Sequence, residues 1–204
     1  MRLNKILSRG FRQPKLCKPY FCRRMDINCT IAELHILNRI ALAAETLHTE
    51  CYVIGGFVRD KILGRETKDI DVVCVGDGIA LAHETARRFP GTPQVNFFKN
   101  FGTAQIKLML QNPVMAAEQG AETDATETDE LSFEIEFVGA RKESYNRNSR
   151  KPAVEAGTLE DDQHRRDFTI NALAIGLNES DYGLLIDPFN GIADLNNKII
   201  KTPL

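Results

Sequence analysis

Residues 69–75 read DIDVVCV, a β-branched, apolar run with carboxylates at its first and third positions. Side chains alternate across a strand, so Asp69 and Asp71 leave on one face while Ile70 enters a core on the other. Two anions side by side on a folded sheet repel and call for a compensating cation. Mg²⁺, a hard ion that prefers carboxylate and phosphate oxygens, is the natural one. Upstream, Tyr52-Val53-Ile54 is a short apolar run that stops at Gly55-Gly56, and Asp69 follows the second glycine by 13 residues. This predicts a buried strand entering a tight turn. There the backbone can approach a ligand and its amides can cradle a triphosphate. Together the parts point to a metal-bound nucleotide whose α-phosphate is attacked in line. Singly they have plainer readings: an i, i+2 acid pair is most often an exposed strand face, and Gly-Gly most often a turn.

The surrounding pattern alternates helix and strand. Thr30 with Glu33 three residues on has capping-box spacing. Leu34, Leu37, Ala41, Ala44 and Leu47 then recur at helical intervals, predicting a helix to about residue 48. A short helix over 57–63 ends at Gly64. Another spans 79–89, with Ile79, Ala82, Ala86 and Phe89 on one face. Strands are expected over 94–98 and 103–110. Another covers 132–138, where Phe133, Ile135 and Phe137 alternate with Glu134 and Glu136. Residues 141–152 read as a polar, Arg-rich loop, and Leu184-Leu185-Ile186 as a last strand. The expected class is α/β (α+β), a mixed sheet covered by helices.

Residues 111–130 break the pattern, with six acids and no Lys or Arg. They read as a disordered insertion at a hairpin tip, without assigned function. Charge is also uneven. Residues 1–24 hold eight of the 26 Lys/Arg and none of the 28 Asp/Glu, which leaves a net −10 on the rest. This basic arm lacks the apolar core of a secretory signal. Its readings are an RNA-contacting tail, an organellar transit segment or a leader preceding a true start at Met25; a disordered or spurious leader over 1–25 is the expectation. No stretch reaches the roughly 18 apolar residues of a membrane span. Five cysteines, without C-x-x-C or a nearby His pair, indicate neither a disulfide framework nor a zinc site and fit a reducing cytoplasm.

Several segments carry a family resemblance. Gly55-Gly56-Phe57-Val58-Arg59-Asp60, then Leu63-Gly64-Arg65 and Lys68-Asp69-Ile70-Asp71, resemble the GGxVRD…LGRxxxDxD signature of class II tRNA nucleotidyltransferases and bacterial poly(A) polymerases. Glu136 and Arg141 match that family's ExxxxR. Residues 165–172 match its RRDFTINA segment, and residues 187–201 its DxxxGxxDLxxxxIR element with Lys201 in place of the final Arg. The resemblance covers residues 30–204 apart from the insertion.

It implies a polymerase-β-like nucleotidyltransferase head over 26–204, with the neck, body and tail of the family absent. Asp69 and Asp71 would hold Mg²⁺, with Glu136 as the third carboxylate of the catalytic cluster. Gly55, Gly56 and Arg59 would line the triphosphate, although Arg59 could equally stiffen the turn by pairing with Asp60. Arg166, Asp167 and Asn171 would face the nucleotide, with Asp167 accepting from a ribose 2′-OH and Arg166 forking onto phosphate. The implied activity is template-independent addition of CMP and AMP, from CTP and ATP, to the 3′ end of tRNA. The alternatives are a poly(A) polymerase, a partial CC- or A-adding enzyme, or a nucleotide-binding head without turnover. A weak grip on RNA is expected, because the regions that hold tRNA are absent and the body is acidic.

Overall fold

The structure, a computed structural model, describes residues 25–98, 102–111, 130–144 and 153–203. The basic arm over 1–24 and the bulk of the acidic insertion, 112–129, lie outside the described residues.

Helix α1 spans Ile31–Leu47 and starts where the sequence predicts. The Thr30 hydroxyl accepts from the Glu33 amide, and the Glu33 carboxylate accepts from the Thr30 amide, which closes a capping box. The helix ends at His48 in the left-handed region. Glu33 also pairs with Lys61, both buried, and so ties α1 to the next helix. Strand β1 (Cys51–Ile54), α2 (Gly56–Ile62) and β2 (Asp69–Cys74) follow as predicted. Helix α3 (Gly78–Ala86) is shorter than the expected 79–89. The Asp77 side chain caps it, accepting from the Ile79 and Ala80 amides. Its core face is Leu81, Ala82, Thr85 and Ala86, whereas Ile79 is half-buried.

Strands β3 (Val95–Phe98), β4 (Thr103–Gln111) and β5 (Glu130–Gly139) complete one half of the main sheet. Gln111 pairs with Glu130, so the acidic segment joins the two ends of a registered hairpin. Of the loop expected over 141–152, the first four residues are instead strand β6 (Arg141–Ser144), paired with β7 (Ala153–Ala156), and 145–152 lie outside the described residues. Helix α4 (Leu159–His164), a 3-10 turn (Thr169–Asn171), β8 (Ala174–Gly176), β9 (Leu185–Ile186) and α5 (Gly191–Asn196) follow.

The seven-stranded sheet runs β3-β4-β5-β2-β1-β8-β9. Only β2 and β5 are parallel; every other pairing in it is antiparallel. Helices α1 and α3 cover one face, where Ile36, Leu37, Ile40, Val53, Ile70, Val72, Ile135 and Phe137 form the main core. On the opposite face a smaller apolar cluster, Tyr52, Ile54, Val73, Ala140 and Ala174, covers the β1–β8 side. The acidic stretch of β2 and β5 beside it stays open to solvent. Cys51 and Cys74 face each other across β1 and β2 as buried free thiols. Burial pushes the Cys74 thiol up to about 12, so it behaves as a small hydrophobe.

Candidate active site

Two acids two residues apart on β2 share a face, and the parallel register places Glu136 beside Asp71 and Glu134 beside Asp69. Antiparallel pairing of β4 then adds Gln105 next to Glu136. These side chains form the floor of a cavity of ≈ 400 Å³, walled by Gly56, Phe57, Arg59, Asp60 and Thr67 from α2 and its exit. Ile70 between the two acids is fully buried, as the alternation predicts.

Burial pushes the Asp71 carboxyl above its ordinary range, against the pull of Arg166 and Arg59, and the neighbouring Asp69 adds to the rise. Glu136 is pushed up as well, by burial first and then by Asp71, with Arg141 opposing. Ionising Asp71 and Glu136 on this floor therefore costs free energy. Among the described residues, no group of three or more His, Cys, Asp or Glu is arranged to hold a metal by itself. The pair Asp69 and Asp71 is nonetheless the donor set that Mg²⁺ uses when phosphates and water complete its octahedron. The residues fit that ion as a two-carboxylate site, with Glu136 beside the pair.

Gly55 is required by the backbone and by its neighbours. Its φ is +79°, where side chains are rarely tolerated, and a Cβ would stand 3.0 Å from Arg166 Nη1 and 3.2 Å from Asp71 Oδ2. The missing side chain is what lets Arg166 and Asp71 approach each other over the turn. The Gly55 amide donates to the Leu173 carbonyl at 3.1 Å, so it is engaged within the fold. The Gly56 and Phe57 amides open the first turn of α2, where helix geometry supplies no acceptor.

The segment after α4 closes over this turn through a chain of polar contacts. Asp162 is fully buried and accepts from Arg165 (Nε 2.9 Å, Nη2 2.5 Å) and from Arg166 (Nε and Nη2, both 3.3 Å). Arg166 Nη1 also donates to the Asn171 carbonyl. The Asn171 side chain is a bridge: its Oδ1 accepts from Arg59 at 2.7 Å, and its Nδ2 donates to Asp167 at 3.0 Å. Arg59 forks onto Asp60 with two 3.0 Å bonds, so the turn-stiffening ion pair is present while Arg59 also lines the cavity. Asp167 is exposed and accepts from the Phe168 amide. Exposed His164 packs edge-on against Phe189.

Of the residues singled out from the sequence, Gly56, Arg59, Asp69, Asp71 and Glu136 line the cavity. Gly55, Arg166, Asp167 and Asn171 stand on its flank, joined to it through Arg59 and Asp71. Sequence reasoning missed Asp162 and Gln105. Asp162 sits in a run of three acids that resembles a solvated helix start, and its only signal was the i+3, i+4 spacing to the two arginines. The residues at 187–201 brace the site from behind. Asp187 caps α5 by accepting from the Gly191 and Ile192 amides, and Asp194 accepts from Thr169 Oγ1 at 2.7 Å. Lys201 contributes its carbonyl, which accepts from the Thr169 amide, so this backbone contact does not depend on Lys or Arg.

The family model described as "Poly A polymerase head domain" matches residues 51–201. An A-adding tRNA nucleotidyltransferase of Aquifex aeolicus is 41% identical over 150 residues, which are 74% of this chain and 15% of that protein. A solved CCA-adding enzyme in an apo form superposes with a TM-score of 0.67 at 32% identity, covering 86% of this chain and 36% of that one. A tRNA nucleotidyltransferase solved with a primer tRNA and an incoming ATP analogue gives 0.58 at 34% identity, covering 81% and 39%. The chain thus spans well under half the length of the relatives it matches.

Proposed function

The chain belongs to the poly A polymerase head-domain family, within the class II tRNA nucleotidyltransferases, and from that premise we propose that it transfers CMP and AMP from CTP and ATP to the 3′ end of tRNA. The observation that carries this is the carboxylate floor of Asp69, Asp71 and Glu136 facing a wall of Gly56 and Arg59.

The residues divide the work by charge. The Gly56 and Phe57 amides and the Arg59 guanidinium meet the triphosphate, and Arg166 reaches it over Gly55. Asp167 accepts from the ribose 2′-OH, held in place by the Asn171 bridge to Arg59. Asp69 and Asp71 would hold Mg²⁺, which when bound would supply charge neutralisation at the phosphates. The 3′-oxygen of the RNA bonds to the α-phosphorus as the bond to the β-phosphate oxygen breaks, and pyrophosphate leaves. The hydroxyl proton passes to the Glu136 carboxylate, which burial and Asp71 hold above the ordinary range. No covalent enzyme intermediate is involved. We further propose a reducing, cytoplasmic compartment, which the free thiols at Cys29, Cys51 and Cys74 support.

The deciding experiment supplies Mg²⁺, CTP and ATP to a tRNA lacking its 3′ CCA, beside an Asp69→Ala/Asp71→Ala control. Growth by C, C and A that vanishes in the control is the expected result. Addition of A alone, of C alone, or of long A tails moves the activity to the corresponding partial enzyme or to a poly(A) polymerase. Nucleotide bound without growth identifies a head without turnover. In an active enzyme, Asp167→Ala narrows the preference for ATP over dATP; an undiminished preference removes Asp167 from the ribose.

A further inference from the structure

We infer that Phe98 is a stacking platform for the unpaired base at the 3′ end of the RNA that is extended, an inference that rests on the nucleotidyltransferase reading above. Strand register defines one continuous row across the open face: Asp71 pairs with Glu136, Glu136 with Gln105, and Gln105 with Asn96. Phe98 lies two residues beyond Asn96, so it shares that face. Strand β3 stands three strand spacings from β2, about 14 Å, which leaves room for a ribose and its base between the carboxylates and the ring.

A second cavity of ≈ 310 Å³ fills that interval. Phe98, Thr103, Gln105 and Glu136 line it, and it shares Gln105 and Glu136 with the first. The two ends of the combined cleft differ in charge. Arg59 lines the α2 end, and Arg166 stands beside it. Among the described residues, the lining of the β3 end holds no cation, only an acid, two neutral polar residues and Phe98, 56% exposed. An in-line displacement requires the attacking oxygen to arrive opposite the departing pyrophosphate. The cations fix the pyrophosphate at the α2 end, so the attacking nucleoside occupies the β3 end, where an uncharged ring system suits the lining.

Stacking is also the recognition chemistry the residues leave available. The Gln105 amide already donates to Glu134 at 3.1 Å, so it does not serve as a dedicated reader of base edges. A ring platform accepts any base, because every base has a π-face. That tolerance suits a primer whose terminal base changes as it grows. Position 98 is also where an edge strand would ordinarily carry a charge to discourage association.

The chain contains no tryptophan, so Phe98→Trp places a single fluorophore at the platform. It is titrated with a short single-stranded RNA ending in CC and with the same RNA carrying an abasic 3′-terminal nucleotide, the two matched in charge. Quenching by the intact end, lost or at least tenfold weaker with the abasic end, is the expected result. Equal quenching by both, or none up to millimolar RNA, overturns the inference. So does quenching by Mg²⁺·ATP alone, which would assign the ring to the incoming nucleotide. In the transfer assay Phe98→Ala should raise KM for the RNA roughly tenfold, leaving KM for the nucleotide in place; the reverse split overturns it. Base-dependent quenching in a protein that transfers nothing would keep the platform and refute the transferase reading, so the two failures are distinguishable.

Discussion

Asp71 and Gly55 show how closely the site is held by single side chains. Asp71 is lifted by burial, so its ionised form is disfavoured in the folded state. A carboxyl whose folded pKa is raised adds no penalty below its unfolded value of about 3.9, and its penalty is complete above the folded value. Asp71→Asn should therefore abolish transfer and raise Tm by a few degrees at neutral pH. The gain should shrink as pH falls through the raised pKa and vanish below the unfolded one. Thermal melts across that range check it, and a gain independent of pH would refute the assignment. Gly55→Ala should act in the opposite sense. The positive φ and the contacts at 3.0 and 3.2 Å together make it cost about 1–3 kcal/mol of stability, measurable by denaturant unfolding, and separate Arg166 from Asp71.

Among elements, α4 has the most influence for its length. Its three acids do three different things: Glu160 is exposed, Asp161 closes the capping box with Thr158, and Asp162 is buried between two arginines. Breaking a buried charge cluster from one side is expensive, so Asp162→Ala should lower stability by on the order of 3 kcal/mol. It should also weaken nucleotide affinity, because Arg166 loses the group that aims it. Asp162→Glu, which keeps the charge, should recover part of that affinity if the role is one of aim. These contacts also mark the limit of what the sequence discloses. Helix α1, β1, α2, β2 and β5 were legible because cap spacing, a Gly-Gly stop and strict alternation are local signals. Asp69, Asp71 and Glu136 were legible by the same alternation together with the family motifs. The β6–β7 ribbon, Asp162 and Gln105 were not. Their positions depend on which strand lies beside which, and no local pattern encodes that. Asn171 was named for the nucleotide, yet its side chain joins Arg59 to Asp167, a pairing visible only once two distant segments meet.

At the scale of the molecule, the β4–β5 ladder runs six residue pairs past Gln105 and Glu136 before it reaches the ends that the acidic segment joins. Gln111 and Glu130 end the β4–β5 ladder in register, which a two-residue Asn-Gly turn can close. Replacing residues 112–129 by such a turn should leave Tm and Mg²⁺·ATP affinity unchanged; a loss of affinity would show that the segment reaches the cleft. The net −10 outside the basic arm opposes phosphate backbones, so residues 25–204 without that arm should bind unstructured RNA no more tightly than about 100 µM at physiological salt, as fluorescence anisotropy can measure. The pairing of β2 with β5 also has a kinetic side. It is the one parallel junction of the sheet, and α3, β3 and β4 intervene between its strands. Contacts so far apart in sequence are slow to form, because the loop must close before any contact rewards it. The acids of β2 are in place as soon as a local strand exists, but Glu136 reaches them only when the whole intervening unit has docked. Completion of the carboxylate floor is thus a late event of folding, and a nascent chain holds half of that floor before the other half arrives.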